Sequence, residues 1–223
     1  MDWRNVLVDN TRWLAALCCA AVLPACPTDS GPTREKSAAY FGLVDGRDLT
    51  FQVENSAGGN PTTARIVITT DNSFADYLGF RTEERNAGNI ITETMVWASE
   101  VEDMRLVRQG DCLPNCTDFV NPVVMLKNPV VANQSYETET ATRVTANSVT
   151  SEGPRERHVL TVGAESNVPT PAGTFRAYPL TWRRFVGGST TSEDRTYYFA
   201  PDKGFIRLDR GTLQYKVQTG VAP

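Results

Sequence analysis

The residues best suited to chemistry in this 223-residue chain are two cysteines and a histidine. Cys112 and Cys116 lie in Gln109-Gly110-Asp111-Cys112-Leu113-Pro114-Asn115-Cys116, and His158 is the single histidine. Soft thiolates with an imidazole would suit Cu(I), and a Cys-x-x-x-Cys pair could exchange disulfides. Four nitrogen or sulfur ligands for structural zinc are hard to assemble from this set. The structural alternative is a bridge. Glycine and Pro-Asn mark a tight loop that brings two Cα atoms within bridging range. An exported chain would keep such a bond oxidised. His158 follows Arg155-Glu156-Arg157, a polar run in which a lone imidazole is expected in solvent. The pair is therefore expected to be a disulfide pinning a hairpin tip, with no metal; a copper or thiol site is the minor alternative.

Other catalytic groupings are missing. A hydrolytic triad needs a histidine and a nucleophile elbow, and no Gly-x-Ser-x-Gly occurs. Glu83-Glu84 and Glu100, Glu102 and Asp103 are clustered acids, but acids adjacent along strands are expected to face water. No phosphate-binding glycine loop or dinucleotide motif appears. Neither catalysis nor a cofactor is expected.

The remaining composition fits one sizeable core, with 40% hydrophobic and 22% charged residues. A net charge of −4 with no basic cluster argues against nucleic acid as a partner. At the N-terminus, Arg4 and Arg12 precede an apolar run from Trp13 to Leu23, the length of a signal-peptide core and too short for a bilayer. It ends Leu23-Pro24-Ala25-Cys26, which resembles a bacterial lipobox. Residues 1–25 are thus expected to be a signal peptide, and Cys26 a fatty-acylated membrane anchor. Plain cleavage near Ala21 or Ala25 is the alternative. Cys18 and Cys19 would leave with the leader, and Cys112 and Cys116 would remain as an even pair. Residues 26–38 lack large apolar side chains and are expected to be a flexible linker. The domain is expected over 39–223.

Within that domain, period-two alternation recurs at short intervals. Leu49, Phe51 and Val53 alternate with polar neighbours, and Thr62–Thr69 is β-branched. Further runs cover Asn89–Trp97, Met104–Val107, Phe119–Leu126, Tyr136–Val144, His158–Val162 and Thr174–Phe185. Pro122 places its run at an edge or a bulge. Phe74–Arg85 reads as strand because Gly79 weakens a helix. Pro171-Ala172-Gly173 and Pro201-Asp202-Lys203-Gly204 are turns followed by strand patterns. The expectation is an all-β domain: a single curved antiparallel sheet of about ten strands with few or no helices.

Three segments carry a family resemblance. Tyr40-Phe41-Gly42-Leu43 through Phe51 resembles an opening motif Y-F-P-L-x-x-G-x-x-W-x-Y, with Gly42 and Leu49 replacing its proline and tryptophan. Pro171-Ala172-Gly173-Thr174-Phe175 resembles its P-A-G-T-F, and Tyr198 to Arg207 its closing W-Y-A-P-x-x-G-x-V-K. The family is a widespread group of bacterial exported and lipid-anchored proteins of unknown function, similar in fold to LolA- and LolB-type lipoprotein-carrier half-barrels. The resemblance implies a half-barrel in the cell envelope, facing the periplasm or exterior, whose concave face binds a hydrophobic ligand or lipid. Trp97, Phe175, Trp182 and Tyr198 are the candidate lining. A structural protein docking an envelope partner is the alternative. For the cysteine loop, non-reducing peptide mapping should recover Cys112 linked to Cys116, and free thiols at both positions would contradict the bridge.

Overall fold

Side chains of a strand alternate between two faces, so a long run of such strands buries one face only if the sheet bends around it. That is the outcome here. The computed structural model describes residues 34–73, 77–112 and 114–221. Cys26, the expected leader and most of the expected linker lie outside the described residues. A short helix, α1 (Arg34–Tyr40), is followed by β1 (Asp48–Asn55), β2 (Thr62–Asp71), β3 (Leu78–Arg85), β4 (Ile91–Ser99) and β5 (Asp103–Asp111). Next come β6 (Asn115–Lys127), β7 (Ser135–Thr140), β8 (Thr142–Ala146), β9 (Val149–Glu152) and β10 (Glu156–Val162). The last are β11 (Ser166–Thr170), β12 (Gly173–Val186), β13 (Glu193–Ala200), β14 (Gly204–Arg210) and β15 (Leu213–Thr219).

All of these strands belong to one antiparallel sheet, in the order β7-β10-β12-β13-β14-β15-β1-β2-β3-β4-β5-β6-β8-β9, with β11 paired to β12. The expected class holds; the fifteen described strands exceed the expected ten. The surplus comes from β9 and β11, short strands of four and five residues whose polar composition carries little periodicity. It comes also from a break at Ala141, which splits the expected run Tyr136–Val144 into β7 and β8.

Curvature brings the two ends of this order together. The first half of β6 pairs with β8, and beyond Phe119 it runs beside β7. There the Val120 N–H donates to Ala141 O at 3.0 Å. The Asn121 N–H donates to Thr140 Oγ1 at 3.0 Å and the Val124 N–H to Thr138 Oγ1 at 3.4 Å. Threonine hydroxyls thus stand in for much of a backbone ladder along this seam. Pro122 explains why, since it has no N–H to give. The same stretch bulges away from β5, where Leu106 pairs with Val123 and Arg108 with Asp118.

One end of the interior is closed by the three motif segments. α1 ends in a Schellman turn: the Leu43 N–H donates to Ala38 O and the Gly42 N–H to Ala39 O, both at 2.9 Å. Gly42 takes the left-handed C′ position, with φ +74°. A proline could not occupy that φ, which accounts for the departure from the resembled motif. Phe41 and Tyr40 pack on Phe199, ring centroids 6.3 and 5.7 Å away, and the Asp202 N–H donates to Tyr40 O at 2.9 Å. The turn before β12 supplies the Ala172 N–H to Val217 O at 3.2 Å. This end also corrects the expected linker, for the folded chain has begun by Arg34. Ser37 and Ala38 are buried, and the Ser37 hydroxyl donates to Val101 O. Small side chains suggested a spacer, but small side chains are also what let a helix press against a core.

Gly42 gives a stability test. A Cβ there would lie 2.5 Å from Gly204 Cα and 2.6 Å from Gly204 N, whereas at Gly46, also at positive φ, it would meet nothing within 4 Å. Gly42→Ala should lower the unfolding free energy by about 3 kcal/mol through strain plus overlap, and Gly46→Ala by about 1 kcal/mol through strain alone. Urea unfolding of the two variants checks this; equal losses would mean the close approach is not what holds this end.

Candidate functional site

The opposite end of the interior is polar. Alternation aims Thr82 and Glu84 of β3 inward, with Glu93, Met95 and Trp97 of β4. On the facing wall it aims Glu156, His158 and Leu160 of β10, Trp182 and Arg184 of β12, and Arg195 and Tyr197 of β13. Leu208 and Arg210 of β14 and Tyr215 of β15 complete the ring. In β3, β4, β10, β12, β13 and β14 the charged residue lies toward the connections near residues 86–90, 153–155, 187–192 and 211–212, and the apolar residues lie deeper. A charged layer therefore caps an apolar one.

Two arginines in that layer grip carboxylates with both arms. Arg195 holds Glu93, with Nη1 to Oε2 and Nη2 to Oε1 both at 2.9 Å. Arg184 holds Glu156, with Nε to Oε2 at 2.8 Å and Nη2 to Oε1 at 2.6 Å. Gln109 links the pairs, giving Nε2–H to Glu93 Oε1 at 3.1 Å and accepting from Arg184 Nη1 at 3.3 Å. Arg210 extends the layer, donating to Glu93 Oε2 at 3.1 Å, to Glu84 Oε1 at 3.4 Å and to the Tyr215 hydroxyl at 2.9 Å.

The histidine ends this chain. His158 is fully buried, stacked on Trp182 with centroids 5.7 Å apart and edge-on to Phe119 at 5.3 Å. The Trp182 indole N–H donates to its Nδ1 at 3.1 Å. That leaves the proton of the neutral ring on Nε2, which faces Glu156 Oε2 at 3.1 Å but is out of line for a full hydrogen bond. Burial pushes the Glu156 carboxyl up, yet contacts from His158 and Arg184 outweigh it and hold it below its ordinary value. Burial works against the charge on Arg195, and Tyr197 and Glu93 more than reverse it. Burial raises the Tyr197 hydroxyl to about 12.

Two spaces flank this layer. Beneath it is an apolar slot of about 70 Å³, walled by Leu49, Phe51, Ile68, Met95, Trp97 and Phe205, with Glu84 and Glu93 also lining it. Leu49 stands where the resembled motif has tryptophan, and the smaller side chain leaves room in this wall. On the outer side is a vestibule of about 360 Å³ lined by Val53, Thr62, Asn86, Arg210, Leu213 and Tyr215, among others, and again by Glu84. Glu84 faces both spaces. A third, open cleft of about 790 Å³ lies by the seam, with Asn121, Glu139, Arg155, Arg157 and Phe185 in its walls.

Of the four aromatics chosen from sequence, Trp97 lines the slot. Phe175 is core at the β11–β12 hairpin, and Trp182 is core against His158. Tyr198 is on the outer face, with the Arg207 guanidinium 4.7 Å above its ring and its hydroxyl on Asp209. These three do not line it. Cys112 and Cys116 are joined, with Sγ atoms 2.00 Å apart, at the tip between β5 and β6. With Asp118 they form a group of possible metal ligands, but the sulfurs are bonded to each other and Arg108 holds that carboxylate at 2.5 Å. His158, the third ligand considered for copper, turns its nitrogens to Trp182 and Glu156 instead. Its expected place in solvent is corrected as well: Arg155 and Arg157 do face outward, but the even-numbered residues of the run face in. The same alternation splits Glu83 from Glu84, sending the first to Arg81 and Arg85 outside and the second into the layer.

No family model and no curated protein matches the chain. Among solved structures it is similar to a candidate lipoprotein from Parabacteroides distasonis, with TM-score 0.48, 10% identity, and coverage of 80% of this chain and 96% of that one. It is similar also to a candidate exported protein with a YmcC-like fold from Bacteroides fragilis, with TM-score 0.47, 10% identity, and coverage of 80% and 97%. The hypothetical lipoprotein YmcC from Escherichia coli gives TM-score 0.39 and 6% identity, over 78% of this chain and 86% of that one.

The Glu156–Arg184 pair predicts a pH-dependent loss. Glu156→Gln removes the counter-ion of a largely buried guanidinium and should lower stability by about 3 kcal/mol at pH 7. A depressed folded pKa stabilises above the unfolded carboxylate value of about 4.3, and that contribution disappears as pH falls through the lower folded value. Urea unfolding should therefore show the variant and the original converging in acid; a gap unchanged at pH 3 would refute the assignment.

Proposed function

We propose that the chain is an exported bacterial lipoprotein, tethered through Cys26, whose domain binds a small amphiphile at the charged end of its interior. The observation that carries this reading is the gradient across Glu84, with a mixed vestibule that carries Arg210, Asn86, Thr62 and Thr92 on one side and an apolar slot on the other. Volume sets the size of the guest. An apolar cavity of about 150 Å³ holds a benzene ring, and the slot, at about 70 Å³, takes a short apolar tip. The vestibule lies within the roughly 300–1,000 Å³ common for small-molecule sites and would hold the body and head. A whole acyl chain enclosed as in a carrier does not fit. The reading is binding without catalysis, in keeping with carboxylates that are taken up by the arginines of the layer.

A second reading has its own support. The interior is mostly filled, and Ile90 and Ile91, exposed 65% and 43%, sit together at the β3–β4 tip. A structural protein docking an envelope partner would use such a surface.

Tryptophan quenching separates the two. A brominated octyl amphiphile should quench emission of the chain from Cys26 onward, whose tryptophans are Trp97 and Trp182, with quenching kept in Trp182→Phe and lost in Trp97→Phe. If anionic, neutral and cationic brominated compounds all leave Trp97 unquenched, amphiphile binding is wrong and the docking reading replaces it.

A further inference from the structure

We propose that the head of this amphiphile is anionic, a carboxylate or a phosphate, and that Arg210 receives it; the inference rests on the amphiphile reading above. The three arginines of the layer differ in how fully they are engaged. Arg184 and Arg195 each hold a carboxylate with two arms, and their side chains are 17% and 12% exposed. Arg210 has no carboxylate of its own. Its Nη1 shares the Glu93 oxygen that Arg195 already holds, and its Nη2 reaches Glu84 only at 3.4 Å. Among the described residues its Nε has no hydrogen-bond partner. Its side chain is 30% exposed, and among the described residues it is the single cation lining the vestibule.

An incoming anion can accept from the open Nε edge of Arg210 while Nη1 stays on Glu93 and Nη2 on Tyr215 and Glu84, so those partners keep their contacts. Glu93 keeps both arms of Arg195 and the Gln109 amide. Glu84 keeps the Thr92 hydroxyl at 3.1 Å. An incoming carboxylate or phosphate can accept from the guanidinium fork in the planar geometry that such groups favour. A cationic head would have to compete for Glu84, the single carboxylate of the vestibule, which is more deeply buried and already bonded to Arg210 and Thr92. The deeper position of Glu84 and the spare donors of Arg210 favour the anion.

Isothermal titration calorimetry on the full chain tests this with four decyl compounds below their micellar concentrations: decanoate, decyl phosphate, a neutral decyl glycerol ether and decyltrimethylammonium. At least one anionic compound should bind ten-fold or more tightly than the neutral ether, and the tighter of decanoate and decyl phosphate identifies the head. Arg210→Gln should bring the anionic compounds down to the level of the ether, and Arg210→Lys should retain part of the preference. Equal binding of anionic and neutral compounds, or tighter binding of the ammonium, overturns the inference while leaving amphiphile binding intact. No binding by any of the four overturns the amphiphile reading itself. If Arg210→Gln does not fold, the ranking by head charge in the unaltered protein decides.

Discussion

A carboxylate carried into the inside of a curled sheet needs a cation there, because leaving a buried charge unpaired costs about 3–5 kcal/mol, a large share of a domain's stability of roughly 5–15 kcal/mol. Glu84, Glu93 and Glu156 meet that requirement through Arg210, Arg195 and Arg184. The pairs are not local to one hairpin. They tie β3 and β4 on one wall to β13 and β14 on the other, and Gln109 of β5 joins the β4–β13 pair to the β10–β12 pair. Each strand's register is thereby fixed twice, once by its backbone ladder and again by the partner of its inward charge. A slip of one residue in any of them would turn the charge outward and leave its partner stranded.

The two ends of the interior use different means of closure. At the α1 end, glycines let backbones touch, Gly42 against Gly204, and rings from both ends of the folded chain stack around Phe199. Packing of this kind closes the floor of the apolar slot, which Phe41, Gly42 and Gly204 line. At the hairpin-tip end, long charged side chains span a wider gap and cannot fill it, which is why spaces remain on both sides of Glu84.

Much of the architecture was legible in the sequence. Period-two runs gave the strand positions and Pro122 gave the bulge in β6, because both follow from local backbone geometry. Gly79, which argued against a helix, lies within β3. The site was not legible in the same way. Arg155-Glu156-Arg157-His158 looks uniformly polar in one dimension, and only the pairing of β10 with β12, which brings Arg184 to Glu156 and Trp182 to His158, shows which half is inside. The parity rule was available: His158, Leu160 and Val162 share a face, and reading it back two residues reaches Glu156. Tyr198 failed for a related reason. In Tyr197-Tyr198-Phe199 the inward rings are the first and third, and composition alone ranks all three alike.

Stability alone does not explain the charged layer. Buried ion pairs are often no better than well-packed apolar residues of the same volume, and replacing them can stabilise a protein. A ring of leucines at these positions would close the interior more firmly and would leave no donor facing the vestibule. Keeping arginines and glutamates there maintains an end that is charged and open on its outer side and apolar beneath. Arg184 and Arg195 carry the structural share of that arrangement, since each neutralises one carboxylate completely. Arg210, which the carboxylates leave only partly occupied, is the member of the layer whose charge the fold does not use up, and it is the residue through which the proposed binding would act.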